Sequence, residues 1–289
     1  MSELSPIQEN LKQRVLEGIE ELPGFSPAVQ EIITISNDLN STPRQLLELV
    51  KTEPVLTAKI LKLVNSAFFS LPNKITSLNQ ALVLLGFNAI KNIALSTEML
   101  KLSVDKSGAL IPQYRKLWEH MVSVAAISRL IAKESDVERK KHEEYFVGGL
   151  IHDLGDFLLM RFLPQEHELV YKLAKERGQT YSECSKMILG FTGSEMGALL
   201  AEQWKLPVHL QQVVGGMEPK NHRGDNLDKV IYLADQISKL HGMGSFDEGQ
   251  DIEINPSDLE DIGLSTEFIE SSNTAIFKEI RDAQVFLAA

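Results

Sequence analysis

The stretch Phe146-Val-Gly-Gly-Leu-Ile-His-Asp-Leu-Gly-Asp-Phe-Leu-Leu159 decides how the rest of the chain is read. It is apolar on most sides, which predicts one helix running through the middle of the fold. It nevertheless carries His152 and Asp153 at its centre, and Gly148, Gly149 and Gly155 around them. Each glycine costs about 1 kcal/mol against alanine in a helix interior. Gly148, His152 and Gly155 fall at i−4, i and i+3, on one face. Missing side chains beside an imidazole predict a close approach there, by a neighbouring helix, a metal ion, or both. Adjacent His and Asp side chains can bend toward one ion lying between them. A buried histidine bonded to a carboxylate is the structural alternative.

Outward from this stretch, helices follow one another in both directions. Upstream, Ile7, Leu11, Val15 and Ile19 stand at four-residue spacing. Ser26-Pro27, Thr42-Pro-Arg-Gln45 and Ser77-Leu-Asn-Gln80 read as helix starts, Asn88 as a further cap, and Gly86 as a stop. No run alternates with period two between turn signals, so no strand is expected. In Leu117–Ile131, His120 shares the inward stripe with Val124, Ile127 and Ile131, where a core histidine is the plain reading. Residues 103–113 are polar and contain Gly108 and Pro112. They are the expected boundary between a helical subdomain, 1–105, and a second one, 106–289.

Downstream, amphipathic helices are expected over 165–177, through Leu169, Leu173 and Ala174, and over 181–189. Others follow from Ser194 and from Pro207. A helix over 227–240 buries Val230, Ile231, Ala234 and Ile237, and Asp235 borders that stripe as an edge residue or a paired, functional one. Ser257-Asp-Leu-Glu260 reads as a last capping box. His142, His167, His209, His222 and His241 show no partner pattern.

Composition bounds the function. The 289 residues suffice for an ample core. A net charge of −11 argues against a nucleic-acid surface and against anionic membrane. One cysteine, Cys184, leaves no intrachain disulfide and no thiolate zinc cluster, and suits a reducing cytoplasm. The N-terminus does not read as a signal peptide, and no apolar run reaches the ~18 residues of a membrane span.

Several segments together resemble the HDOD family, a helical output domain of bacterial signalling proteins related to the HD phosphohydrolases. They are Leu22-Pro23, Glu53–Ser66 with its Asn-Ser end, Ile75–Gly86, Leu117-Trp-Glu-His120, Gly149-Leu-Ile-His-Asp-Leu-Gly155 and Leu200–Pro207. The resemblance covers about residues 20–220. It implies an all-α fold, an N-terminal helical bundle packed on an HD-like helical domain. It further implies a metal site formed by His120, the pair His152 and Asp153, and Asp235. Two histidines and two carboxylates suit one divalent transition ion: Fe, Mn, Ni or Zn.

The departures from the family pattern bear on function. Active relatives often carry lysine just after the His-Asp-x-Gly turn, and here that position is Asp156, which would repel a phosphodiester. Further family histidines correspond to Gly193 and to Gly216-Met217 in this chain. A second metal, and two-metal hydrolysis with it, is therefore not expected. The favoured expectation is a signalling module that binds a protein partner or small ligand without catalysis. A mononuclear metal-dependent phosphohydrolase is the alternative.

Overall fold

The computed structural model describes residues 4–22, 24–37, 41–103, 114–135, 137–216, 226–246 and 252–288. Every regular element among them is a helix. The N-terminal half holds α1 (Pro6–Glu21), α2 (Pro27–Asn37), α3 (Pro43–Lys51), α4 (Pro54–Val64), α5 (Leu78–Leu85) and α6 (Phe87–Leu100). Their starts follow local chemistry. Thr42 accepts from the Gln45 N–H while the Gln45 side chain accepts from the Thr42 N–H, and Pro43 holds the first helical position. Ser77 caps α5, but the Gln80 amide oxygen turns to the N–H of Thr76. Asn88 is not a cap: α6 already begins at Phe87. Gly86 precedes it at φ +86°, backbone that glycine adopts without strain. Asn65, at the end of α4, brackets the following loop by accepting from the Ile75 N–H and donating to the Ile75 carbonyl.

The second half begins with α7 (Arg115–Glu134), followed by α8 (His142–Ile151), α9 (Leu154–Phe162), α10 (Pro164–Arg177), α11 (Tyr181–Leu189), α12 (Gly193–Gln203), α13 (Val208–Val214) and α14 (Asn226–Leu240). Then come α15 (Pro256–Glu260), α16 (Glu267–Ser271) and α17 (Asn273–Ala283). Asn255, not Ser257, caps α15: the carboxamide oxygen of Asn255 accepts from the Ser257 N–H. On α10, Leu169 points outward, and the buried face is His167, Val170 and Ala174.

The expectation of one helix over 146–159 is corrected at its centre. The chain breaks at His152-Asp153, between α8 and α9. The His152 Nδ1–H donates to the Gly149 carbonyl at 2.8 Å. In a continuing helix that carbonyl would serve the N–H of Asp153. Asp153 leaves helical geometry at φ −98°, ψ 21° and becomes the residue from which α9 restarts.

The three glycines mark close helix crossings. A Cβ on Gly149 would fall 2.6 Å from Cα of Ala125, so α8 lies directly on the backbone of α7. One on Gly155 would run into the carbonyl of Gly193, at the start of α12. One on Gly148 would meet the Ile231 side chain on α14. Thus α8 and α9 sit among α7, α12 and α14, and α7 is buried along nearly its whole length.

One continuous apolar core runs through both halves. The opening helix α1 lies against α9, α11 and α12: Arg14 pairs with Glu166, and the Gln8 amide donates to the Ile188 carbonyl. At the other end, α17 packs on α7, and Phe286 stacks with Phe68 and Phe146. The expected subdomain boundary near 105–106 lies outside the described residues, as do Met217 and His222. Among the described residues no single helix is long and apolar enough to cross a membrane. The α5–α6 pair passes that test only jointly, bent by 117°.

Candidate metal centre

Two helices, α7 and α14, and the α8–α9 break bring His120, His152, Asp153 and Asp235 together. His120 comes from the inward stripe of α7 and Asp235 from α14, which packs on α7. The break turns His152 and Asp153 to the same side, with His152 Nε2 3.3 Å from Asp153 Oδ1. His120 Nε2 stands 3.4 Å from Asp153 Oδ2 and 3.2 Å from Asp235 Oδ1. His152 Nε2 is 3.9 Å from the same Asp235 oxygen.

Both imidazoles have their other nitrogen committed to a backbone carbonyl. His120 Nδ1 donates to Met243 O and His152 Nδ1 to Gly149 O, each at 2.8 Å. A histidine whose Nδ1–H is fixed this way presents Nε2 to the site, the arrangement in which histidine ligates metals. His120 Nε2, His152 Nε2 and Asp235 Oδ1 are buried, and none has an aligned hydrogen-bond partner. Unpaired buried polar atoms are rare in folded proteins and call for a cause. Here the three lie within 4.8 Å of one another, so a single cation could satisfy them all. The residues therefore fit a metal ion.

With no ion bound, the same groups form an ion-paired cluster. Burial by itself would depress the His120 pKa, but the carboxylates of Asp153 and Asp235 outweigh it and push it up to about 10. Burial would raise the Asp235 pKa, but Lys239 and the two histidines bring it down to about 2. Asp153 is likewise held well below the ordinary carboxylate range: His152 and His120 overcome its burial. Without a metal, a proton on His120 offsets the two ionised carboxylates, and a bound cation would have to displace it.

A cleft of about 670 Å³ opens onto the centre. Its walls include the first turns of α11 and α12, whose capping boxes are closed by Glu183 on Thr180 and Glu195 on Thr192. Asp156 lines the cleft beside Gly193, where a Cβ would run into the Asp156 carboxylate. Two lysines reach it. Lys239 holds Asp235 Oδ2 at 2.8 Å, and Lys186 holds Glu195 at 2.6 Å. Neither lysine was singled out from sequence, although Asp235 and Lys239 at i, i+4 on one helix form a readable pair.

The other histidines on described residues have structural partners. His167 Nδ1 lies 2.6 Å from the Tyr181 hydroxyl, His209 Nε2 2.7 Å from Glu144, His241 Nε2 2.6 Å from Asn273, and His142 Nε2 3.0 Å from the Val137 carbonyl.

The body is all-helical, and it brings a histidine, a His-Asp pair and a later aspartate to one point. The model of the HDOD domain matches residues 22–217, and the chain belongs to the HDOD domain family. An HDOD domain protein of unknown function from Geobacter sulfurreducens is similar over 96% of this chain and 98% of its own, at TM-score 0.77 and 22% identity. A provisionally named phosphohydrolase from Shewanella amazonensis SB2B is similar over 95% of this chain and 98% of its own, at TM-score 0.70 and 22% identity. At these identities the likeness establishes the fold. A curated, uncharacterized protein of Treponema pallidum (strain Nichols) is 21% identical over 200 residues, 68% of this chain. The chain spans 37% of that relative's length.

Proposed function

We propose that the protein is a signalling output module. Its HD-type centre holds one divalent transition ion (Fe, Mn, Ni or Zn) through His120, His152, Asp153 and Asp235. Its cleft binds a small ligand or a segment of a protein partner without hydrolysing it. The observation that carries this reading is the charge of the cleft. Five carboxylates line it, those of Asp153, Asp156, Glu183, Glu195 and Asp235, against the two ammonium groups of Lys186 and Lys239. Both lysines are already paired with carboxylates. A phosphoester entering such a cleft meets repulsion where hydrolysis needs a positive clamp.

The surroundings of Gly193 support a single ion. A side chain there would collide with Asp156, so the position has no room for a further histidine ligand. A bound divalent ion supplies Lewis acidity and lowers the pKa of its water toward ~7. That chemistry sustains the second reading, a mononuclear phosphohydrolase, which the open cleft beside the orphaned Nε2 atoms favours.

Elemental analysis of untagged protein purified without chelator tests the metal assignment. About one equivalent of a transition ion is expected, and it should be lost in His152→Ala. A phosphoester screen on the loaded protein separates the two readings. No turnover is expected from the wild type, and turnover of a phosphodiester overturns the binding-module reading. A gain of turnover in Asp156→Lys would show an enzyme short of one positive charge.

A further inference from the structure

The two carboxylate oxygens of Asp235 have different surroundings. Oδ1 faces His120 and His152 and has no aligned hydrogen bond. Oδ2 is held by Lys239 Nζ at 2.8 Å and by Gln236 Nε2 at 3.1 Å, both on the wall of the cleft. Both grips come from α14 itself, one and four residues beyond Asp235. The Lys239 side chain is largely buried, and Gly244 runs so close that a Cβ there would lie 3.3 Å from its Cγ. Gly244 belongs to the strap after α14. The same strap supplies the Met243 carbonyl to His120, and Ser238 Oγ lies 3.2 Å from that carbonyl.

We propose that Lys239, with Gln236, is the positioning residue of the metal centre: it pins Asp235 Oδ2 so that Oδ1 alone faces the ion. The inference rests on the metal reading above and deepens it. An ammonium at this position does two opposed things. Its charge repels a divalent cation, while its hydrogen bond fixes the ligand carboxylate in one orientation. Lys239 pairs with Oδ2 while both imidazoles face Oδ1, so positioning dominates. Partners of this kind, hydrogen-bonded to a ligand from outside the coordination sphere, are worth about 10–100-fold in metal affinity.

The opposed signs make the test decisive. Zn2+ and Co2+ affinities of the full chain are measured by competition with a chromophoric chelator for wild type, Lys239→Met, Lys239→Arg and Gln236→Leu. The thermal transition of each metal-free protein is recorded alongside. Lys239→Met is expected to weaken binding at least tenfold and to change the visible Co2+ spectrum, which reports the coordination geometry. Lys239→Arg should stay within about threefold of wild type, since it restores a donor to Oδ2. If Lys239→Met fails to fold, Gln236→Leu carries the test and should weaken binding several-fold with no change of charge. Unchanged or tighter binding by Lys239→Met overturns the inference and leaves the metal reading intact. A wild type that binds neither ion overturns both.

Discussion

Helix α7 carries two buried polar clusters, and they are built on opposite principles. Nine residues beyond His120, Arg129 donates through Nε to Glu143 on α8 at 2.8 Å and through Nη1 to Glu279 on α17 and to the Phe68 carbonyl, both at 3.3 Å. Its guanidinium lies 4.0 Å over the Phe68 ring, and Lys133 completes the pairing of Glu279. Each carboxylate of that cluster has an aligned cationic partner. The cluster at His120 is the more deeply buried of the two, yet it leaves three polar atoms without aligned partners and borders a cleft. A satisfied network ties helices together. An unsatisfied one beside an opening keeps a place for something else.

The largest effect expected from this contrast is on stability. Arg129→Ala strands Glu143 and part of Glu279 in a buried setting, which costs about 3–5 kcal/mol. His152→Ala, measured in chelator, removes one carbonyl hydrogen bond and one of the two imidazoles beside Asp153, and with His120 still in place costs roughly 1–3 kcal/mol. Urea unfolding of the two variants beside wild type checks the difference. In metal analysis the order reverses: His152→Ala loses the ion and Arg129→Ala, where folded, keeps it. Equal losses of stability would erase the distinction between the two clusters.

Sequence reasoning reached these clusters unevenly. The helices were legible because apolar periodicity and capping chemistry are local, as at Thr42. From pattern alone His120 reads as a core histidine and Asp235 as an edge or paired residue; only the resemblance to the HDOD family joins them to His152 and Asp153. The break at His152-Asp153 was not legible, since it depends on the imidazole taking the Gly149 carbonyl. Nor was the Met243 carbonyl behind His120: a backbone acceptor leaves no mark on residue type. Arg129 carried a signal that went unread, a charge inside the apolar run Val124–Ala132. Lys239 carried another in its spacing from Asp235.

A third buried polar group sharpens the comparison through pH. His167 packs among Tyr181 and Phe246, and burial brings its pKa down to about 4. It is therefore neutral in the folded protein at pH 7, with Nδ1 hydrogen-bonded to the Tyr181 hydroxyl at 2.6 Å. The unfolded chain binds this proton near pH 6.5 and the folded protein only near 4, so the unfolded state gains as pH falls between them. The contribution is whole above about pH 6.5 and falls by roughly 2–3 kcal/mol on the way to pH 4.5. Comparing urea unfolding of wild type and His167→Phe at pH 7.5 and 4.5 isolates it from other titrations. Wild type should lose more stability than the variant by that amount. A parallel fall would mean that His167 is protonated in the folded state and belongs with the charge-paired cluster.

The smallest effect concerns the wall of the cleft. Thr180 caps α11, accepting from the Glu183 N–H while Glu183 accepts from the Thr180 N–H and hydroxyl. Both residues line the cleft, yet their polar groups are spent on each other. The wall is thus self-satisfied, as the Arg129 cluster is, while the floor at His120 and His152 is not. Thr180→Ala should cost about 1 kcal/mol in urea unfolding, the worth of a cap. It should leave metal affinity where it was, because no ligand or ligand partner is touched. A fall in affinity would mean that the first turn of α11 is strained against the centre, and that wall and floor form one polar network instead of two.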